Sequence, residues 1–293
     1  VIPVVLAALS SVSYGVSDFS GAMASKRTDS AVVTVAAQLV SLVALGLVLV
    51  VMPPDAWRAV DLAWGAAGGV GVAVALTCFY RALATGPMSV AAATTALVGA
   101  VVPLVAGLAL GERPGVITFG GILASIPAAV MVSAGGDAGR ASLRLSPRER
   151  FAEREHAAVT TRLSIVAGLG FGLFFVALSR TSAEGGLFPL VGARVASVLV
   201  LAAALGVAHA WSPVDRRSRG AIVVAGVLDC AANACYLLAL DDGELTWVAA
   251  ITSLYPATTV LLAAAVLHER LTRLQVSGMG LAAVALVLVA VGR

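Results

Sequence analysis

Charge is scarce in this sequence. Only 12% of its 293 residues are Asp, Glu, Lys or Arg, about half the share of an ordinary soluble domain. Lysine is nearly missing: Lys26 stands alone against many arginines. The basic residues lie in short loops rather than on one patch, and the net charge is only +3. A nucleic-acid partner is therefore not expected. There are three cysteines and three histidines. Cys78, Cys230 and Cys235 all fall inside apolar stretches, as small buried hydrophobes do, so neither a disulfide nor a thiolate site is expected. His156, His209 and His268 are scattered without metal-ligand spacing. No H-E-x-x-H, G-x-S-x-G or phosphate-cradling glycine loop before a lysine is present, so no catalytic constellation, metal or cofactor is implied.

What is abundant is apolar sequence. Hydrophobic residues make up 60% of the chain, and the mean hydropathy is +0.99. They come in blocks of about 20, the length that crosses a hydrocarbon core of about 30 Å. The fold class expected is an all-α membrane protein with ten transmembrane spans. Span 1 covers Ile2 to Ala24, span 2 Ser30 to Met52, span 3 Asp61 to Ala84, span 4 Pro87 to Leu110 and span 5 Gly115 to Ala134. Span 6 covers Arg162 to Thr181, span 7 Leu187 to Ala208, span 8 Gly220 to Leu240, span 9 Leu245 to Leu267 and span 10 Arg273 to Val291. Span 3 opens with Gly65, Gly68, Gly69 and Gly71, small residues that let helices approach closely. Tyr14 and Asp18 interrupt the first block and no basic segment precedes it, so it reads as a retained span rather than a cleaved signal. Abundant Ala, Val and Gly beside a single Lys point to a GC-rich bacterial genome, hence to the cytoplasmic (inner) membrane.

The chain also contains itself twice. Glu112 and Glu269 stand 157 positions apart, and at that offset Gly86 falls on Gly243, Thr95 on Thr252, Leu104 on Leu261, Arg113 on Arg270 and Gly121 on Gly278. Cys78 likewise meets Cys235, and Gly15 meets Gly172. The division expected is a first five-span repeat over 1–135, a polar linker over 136–161 and a second repeat over 162–293. Ser146-Pro147-Arg148-Glu149 reads as a helix start within the linker: Ser as N-cap, Pro in the first turn, Glu three residues past the cap. Five is odd, so the second repeat must enter the membrane from the opposite side. Inverted-topology repeats are a plan of secondary transporters, with the substrate site where the halves meet.

Candidate site residues are the polar ones inside spans, where ionisable groups are expensive and face a cavity or a partner. Asp229, Asn233 and Tyr236 fall at i, i+4 and i+7 on one face of span 8. A carboxylate, an amide and a phenol on one stripe can hold a small polar substrate, and the carboxylate can also take up a coupling proton. The alternative is that Asp229 pairs with Arg194 to tie spans 7 and 8 together. Ser11, Tyr14 and Asp18 make a second stripe on span 1, with Asp18 near enough to the span end to reach headgroups instead. Tyr80 and Arg81 close span 3, where Arg81 either snorkels to the interface or closes one end of a pathway. Trp247 begins span 9, as a site residue or an interfacial belt residue. Glu112 and Glu269, beside Arg113 and Arg270, read as turn-fixing pairs rather than acids. The site set is thus Tyr14, Asp18, Tyr80, Arg194, Asp229, Asn233, Tyr236 and Trp247.

Two five-span repeats, each ending in an apolar span, a Glu-Arg turn and a Gly-containing last span, resemble the EamA family of the drug/metabolite transporter superfamily. The residues that carry the resemblance are Gly86-Pro87-Met88-Ser89 through Gly111-Glu112-Arg113, Leu254-Tyr255-Pro256 through His268-Glu269-Arg270, and the opening Tyr14-Gly15-Val16-Ser17-Asp18-Phe19. Two positions depart from that pattern. Pro256 has Gly99 as its counterpart, with Pro103 a turn later, and the charged residue of the second span is Arg194 in one copy and Gln38 in the other. The resemblance implies a carrier for amino-acid-like or other small polar or amphipathic compounds, moved mainly outward by alternating access. Its partners would be the substrate, the lipid bilayer and a coupling proton, and a monomer is the expected state. The other readings open at this stage are an intramembrane enzyme using Asp229 and Asp18, and a passive channel. Orientation has two readings. The loops on one side hold fourteen Lys and Arg and those on the other, with both termini, hold four. That places the termini outside the cytosol, whereas the family is drawn with both termini inside.

Overall fold

A computed structural model describes residues 2–85, 88–133, 147–267 and 271–292. Among these all regular secondary structure is helical. The helices are α1 (Ile2–Ser25), α2 (Ser30–Val51), α3 (Ala59–Thr85), α4 (Met88–Ala109), α5 (Val116–Ser133), α6 (Pro147–Leu178), α7 (Pro189–Val207), α8 (Arg219–Leu240), α9 (Leu245–Thr252), α10 (Tyr255–Leu267) and α11 (Arg273–Val291). Among the described residues eight helical stretches are long and apolar enough to cross a membrane, α9 and α10 counting as one, and two shorter apolar helices lie within α4 and α5. Large apolar side chains stand exposed around the outside, among them Val43, Leu47, Val50, Val116, Leu199 and Val287. Water would not tolerate such a belt on a monomer; hydrocarbon does.

Helix ends follow local chemistry. Asp29 caps α2 by accepting from the Ala31 and Val32 amides at 2.9 and 3.4 Å, and Pro53-Pro54 stand just past its end. Thr272 and Gln275 form a reciprocal capping box at the start of α11. Gly111, at φ +95°, turns the chain after α4 in a conformation that favours glycine.

Two elements differ from the sequence expectation. The polar helix expected inside the linker and span 6 are one helix, α6, of 32 residues. The proposed cap Ser146 and the rest of the linker before Pro147 lie outside the described residues, as does the His268-Glu269-Arg270 turn. Span 9 is not one helix but two, with Ser253 and Leu254 in a turn between α9 and α10. Pro256 is the physical reason: it has no N–H to donate and its ring crowds the carbonyl of Thr252, four residues back. Gly99, its counterpart at offset 157, does neither, and α4 runs through unbroken.

Packing between the halves is reciprocal. Helix α1 lies against α8, α9 and α10, and α6 lies against α3 and α4, which are the counterparts of α8 and of α9–α10 at offset 157. Helix α7 lies against α3 just as α2 lies against α8, while α2–α7 and α5–α11 pair counterpart with counterpart. Small residues permit the close approaches. Gly65 and Gly69 of α3 face the Pro189 and Ala193 carbonyls of α7, and Gly15 of α1 faces the Tyr255 carbonyl beside the broken span. Loops group by side as alternating spans require. Ala56 donates to the Glu184 carbonyl at 3.0 Å, and the Asp215 amide donates to Thr28 Oγ1 at 3.2 Å at the other end.

Candidate functional site

The site begins with a charge inside an apolar bundle. Arg194, on α7, is only 1% exposed, and its Nη2 lies 2.7 Å from Asp229 Oδ2 on α8. Its Nη1 donates to Gln38 Oε1 on α2 at 2.9 Å. Its Nε has no partner among the described residues, and the close Nη2 contact is an ion pair without hydrogen-bond alignment. Asp229 Oδ2 also accepts from Ser41 of α2 at 3.3 Å. Helical spacing brings Asn233 one turn along. Its Nδ2 donates to the Asp229 carbonyl at 2.7 Å and to Oδ1 at 3.1 Å, which leaves Oδ1 of Asn233 facing away. That oxygen accepts from the Tyr14 hydroxyl of α1 at 2.7 Å. The polar groups of four helices, two from each half, therefore form one continuous network at mid-helix depth.

Aromatic rings close the network on one side. Tyr14 meets Phe175 of α6 edge-on at 6.1 Å between centroids and Tyr255 of α10 at 6.5 Å. Phe175 stacks on Tyr236 at 4.4 Å. The Tyr236 and Tyr255 hydroxyls have no partner among the described residues, although Tyr236 is fully enclosed. Beyond the stacked pair, toward the ends of α6 and α8, a pocket of about 340 Å³ is lined by Leu178, Arg180, Leu237, Leu240, Asp241 and Glu112.

Of the residues singled out from sequence, Tyr14, Arg194, Asp229 and Asn233 are joined directly, and Tyr236 is joined through Phe175. Asp18, 6% exposed on α1, has no hydrogen bond or ion pair among the described residues but lies within Coulomb range of Asp229. Its burial excludes a reach to headgroups in this structure. Tyr80 is buried against Gly21 of α1 and lies within Coulomb range of both acids. Trp247 lies in the other repeat's counterpart of α4, at its start. It is buried in the first turn of α9, too enclosed for a belt residue, and it lines a second pocket of about 320 Å³ with Arg113, Thr118 and Asp242. Arg81 is exposed at the end of α3.

Four contributors were not singled out as site residues: Gln38, Ser41, Phe175 and Tyr255. A signal for Phe175 exists, because the stripe Tyr14 and Asp18 returns at offset 157 as Phe171 and Phe175. Gln38 and Ser41 lie three apart, on one face of span 2. Glu112 is structural, and its hydrogen-bond partners lie in the other half rather than at Arg113. Both carboxylate oxygens accept from the first turn of α9, from Leu245 at 2.8 Å and Thr246 at 2.9 Å. It thereby caps the N-terminus of a helix in the other half.

Comparison with known proteins agrees with this architecture. A solved crystal structure shares the fold with a TM-score of 0.70 at 13% identity, over 97% of this chain and 97% of that one. No curated protein matches the chain. The family model described as the EamA-like transporter family matches residues 1–134 and again 158–291. Those two matches cover nearly everything but the linker, and the chain belongs to the EamA-like transporter family.

Proposed function

We propose that this membrane transporter of small compounds is a secondary carrier that binds its cargo at the Tyr14–Asn233–Asp229–Arg194 network. It exports amino-acid-like or other small polar compounds across a bacterial inner membrane by rocking two inverted five-span halves. The observation that carries this reading is the Tyr14 to Asn233 hydrogen bond of 2.7 Å. It links the first half to the second at the depth where a carrier must alternately open to each side. Reciprocal packing of the halves supports the inverted arrangement, since the main helix contacts between them recur with the two copies exchanged. The break in span 9, beside Gly15 and Tyr255, supplies the discontinuous helix common near transporter sites.

An enzyme acting through Asp18 and Asp229 is less well supported. A dyad shares one proton between facing carboxyls, whereas the Asp229 carboxylate is engaged by Arg194, Ser41 and Asn233. The purified chain in proteoliposomes, loaded in turn with a panel of amino acids and amines, tests the carrier reading. Saturable uptake with counterflow is expected. Flux that rises linearly with concentration would indicate a channel, and chemical conversion of a panel compound would indicate an enzyme.

A further inference from the structure

Four helices on the aromatic side of the network form two tied pairs. Helix α1 is fixed to α8 by hydroxyls: Ser10 donates to the Ala232 carbonyl and Ser17 to the Ala225 carbonyl, each at 2.8 Å. Helix α6 is fixed to α3. Ser182, just past the end of α6, donates its amide and hydroxyl to Asp61 at 3.0 and 2.5 Å, and Phe171 meets Phe79 edge-on at 6.0 Å between centroids. The pairs meet on either side of the Tyr14–Asn233 contact. Helix α1 crosses α3 toward the side whose loops hold most of the Lys and Arg, and α6 approaches α8 toward the other.

The two crossings are counterparts at offset 157, yet they are filled differently. At the first, Gly21 of α1 faces Tyr80 of α3 so closely that an added Cβ would collide with the ring. The corresponding residues, Leu178 of α6 and Leu237 of α8, leave their crossing unfilled and line the pocket of about 340 Å³. Arg180, Ala183 and Asp241 on the rim of that pocket are exposed, so it meets water. Between pocket and network stands one stacked pair, Phe175 on Tyr236 at 4.4 Å. Phe175 touches Tyr14 on its network side, while Leu178 and Leu240, one turn beyond the two rings, already belong to the pocket. The enclosed Tyr236 hydroxyl, without a partner among the described residues, penalises this closed arrangement and gains water when the rings part. The stack carries no charge, so parting it strands no buried ion.

We propose that the Phe175–Tyr236 stack is the gate between the network and the pocket, that the pocket is the vestibule of the cargo pathway on that face, and that Tyr80 against Gly21 is the opposing gate. The proposal rests on the carrier reading of the network and names the parts that open. Each gate joins one tied pair to the other. Tilting α1 with α8 against α3 with α6 therefore parts one gate as it closes the other.

The test uses the full chain with its three cysteines replaced and one cysteine added, either Asn233→Cys in the network or Leu240→Cys in the pocket. Membrane vesicles of both orientations are treated with a charged, membrane-impermeant methanethiosulfonate. Leu240→Cys reacts rapidly from one face only, which identifies the pocket face, and Asn233→Cys reacts much more slowly. Adding Phe175→Ala speeds modification of Asn233→Cys from the pocket face about threefold to tenfold, the population change that loss of one aromatic pair gives, and leaves the other face unchanged. Tyr80→Ala does the same from the opposite face only. Phe175→Leu, which keeps an apolar side chain but not the stack, falls between wild type and Phe175→Ala and decides if the alanine variant misfolds. Unchanged rates in folded Phe175 variants, equal acceleration from both faces, or a Leu240→Cys protein that resists the probe overturns the proposal. Modification does not require transport, so wild-type counterflow is scored separately. Counterflow without face-specific gating refutes the gates and keeps the carrier. Face-specific gating without counterflow keeps the gates and refutes the carrier.

Discussion

Replacing Asp229 by Asn leaves Arg194 charged, 1% exposed and held by Gln38 alone. At 2.7 Å and an effective dielectric of about 20, the lost attraction is roughly 6 kcal/mol before desolvation is set against it. Breaking a buried pair from one side typically costs about 3–5 kcal/mol, because the surviving charge cannot return to water. The reverse change, Arg194→Met, should cost less. Asp229 keeps Ser41 at 3.3 Å and Asn233 at 3.1 Å, and its side chain is 13% exposed. The double change Arg194→Met with Asp229→Leu removes both charges and should lie within about 1 kcal/mol of wild type, or above it. Steric-trap unfolding in bicelles orders the three proteins, and counterflow then separates the roles of the pair. A double variant that folds but does not transport shows that the pair serves the cargo, whereas full transport makes it a tie between helices. Asp229→Asn unfolding no more readily than wild type would refute the reasoning, since no uncompensated guanidinium would then exist.

Three further outcomes follow from other parts of the fold. Glu112→Ala removes two charge-assisted bonds to the first turn of α9 and should lower stability by about 1–3 kcal/mol, with Glu112→Gln losing about half as much; an alanine variant as stable as wild type rules out the cap. Partial burial, then the neighbouring Asp242, raise the Asp241 carboxyl at the end of α8. The folded state binds that proton more tightly than the unfolded chain, so the penalty is full above the raised value and disappears below the ordinary carboxylate range. Asp241→Asn should therefore raise Tm at pH 7, and the gain should fade toward about pH 4; a gain equal at both pH values contradicts this. For orientation, the arginine-rich side is expected to be cytosolic. In a background with the three native cysteines replaced, Arg217→Cys should resist membrane-impermeant maleimide in intact cells and Asp242→Cys should react, and the opposite pattern inverts the molecule.

Much of the architecture was legible because lipid imposes a simple code: apolar blocks of one length, stopped by charges, Pro-Pro and Gly. The join between linker and span 6 was misread because composition changed there while nothing ended the helix. No Gly or Pro occurs between Pro147 and Gly168, so the polar start and the apolar span continue as α6. The break in span 9 was written in Pro256, but one proline bends some helices and divides others, and packing of α1 against the break accompanies the division. At the site, the stripe on span 8 was readable from helical spacing. Its partners were not, because Tyr14 and Asn233 stand 219 positions apart and only the tertiary arrangement pairs them. Trp247, read at the start of span 9, lies in the first turn of α9, where it lines a pocket with Asp242.

The central claim is that cargo binds where the two halves meet at Tyr14 and Asn233. Counterflow kinetics of Asn233→Ala, with the best-transported compound of the panel, tests it most directly. Asn233 accepts from Tyr14 and donates to Asp229, so its loss should raise the apparent KM about tenfold and, by leaving the buried Tyr14 hydroxyl unpaired, lower stability by about 1–3 kcal/mol. A folded Asn233→Ala protein with unchanged KM and maximal rate would place the binding site elsewhere.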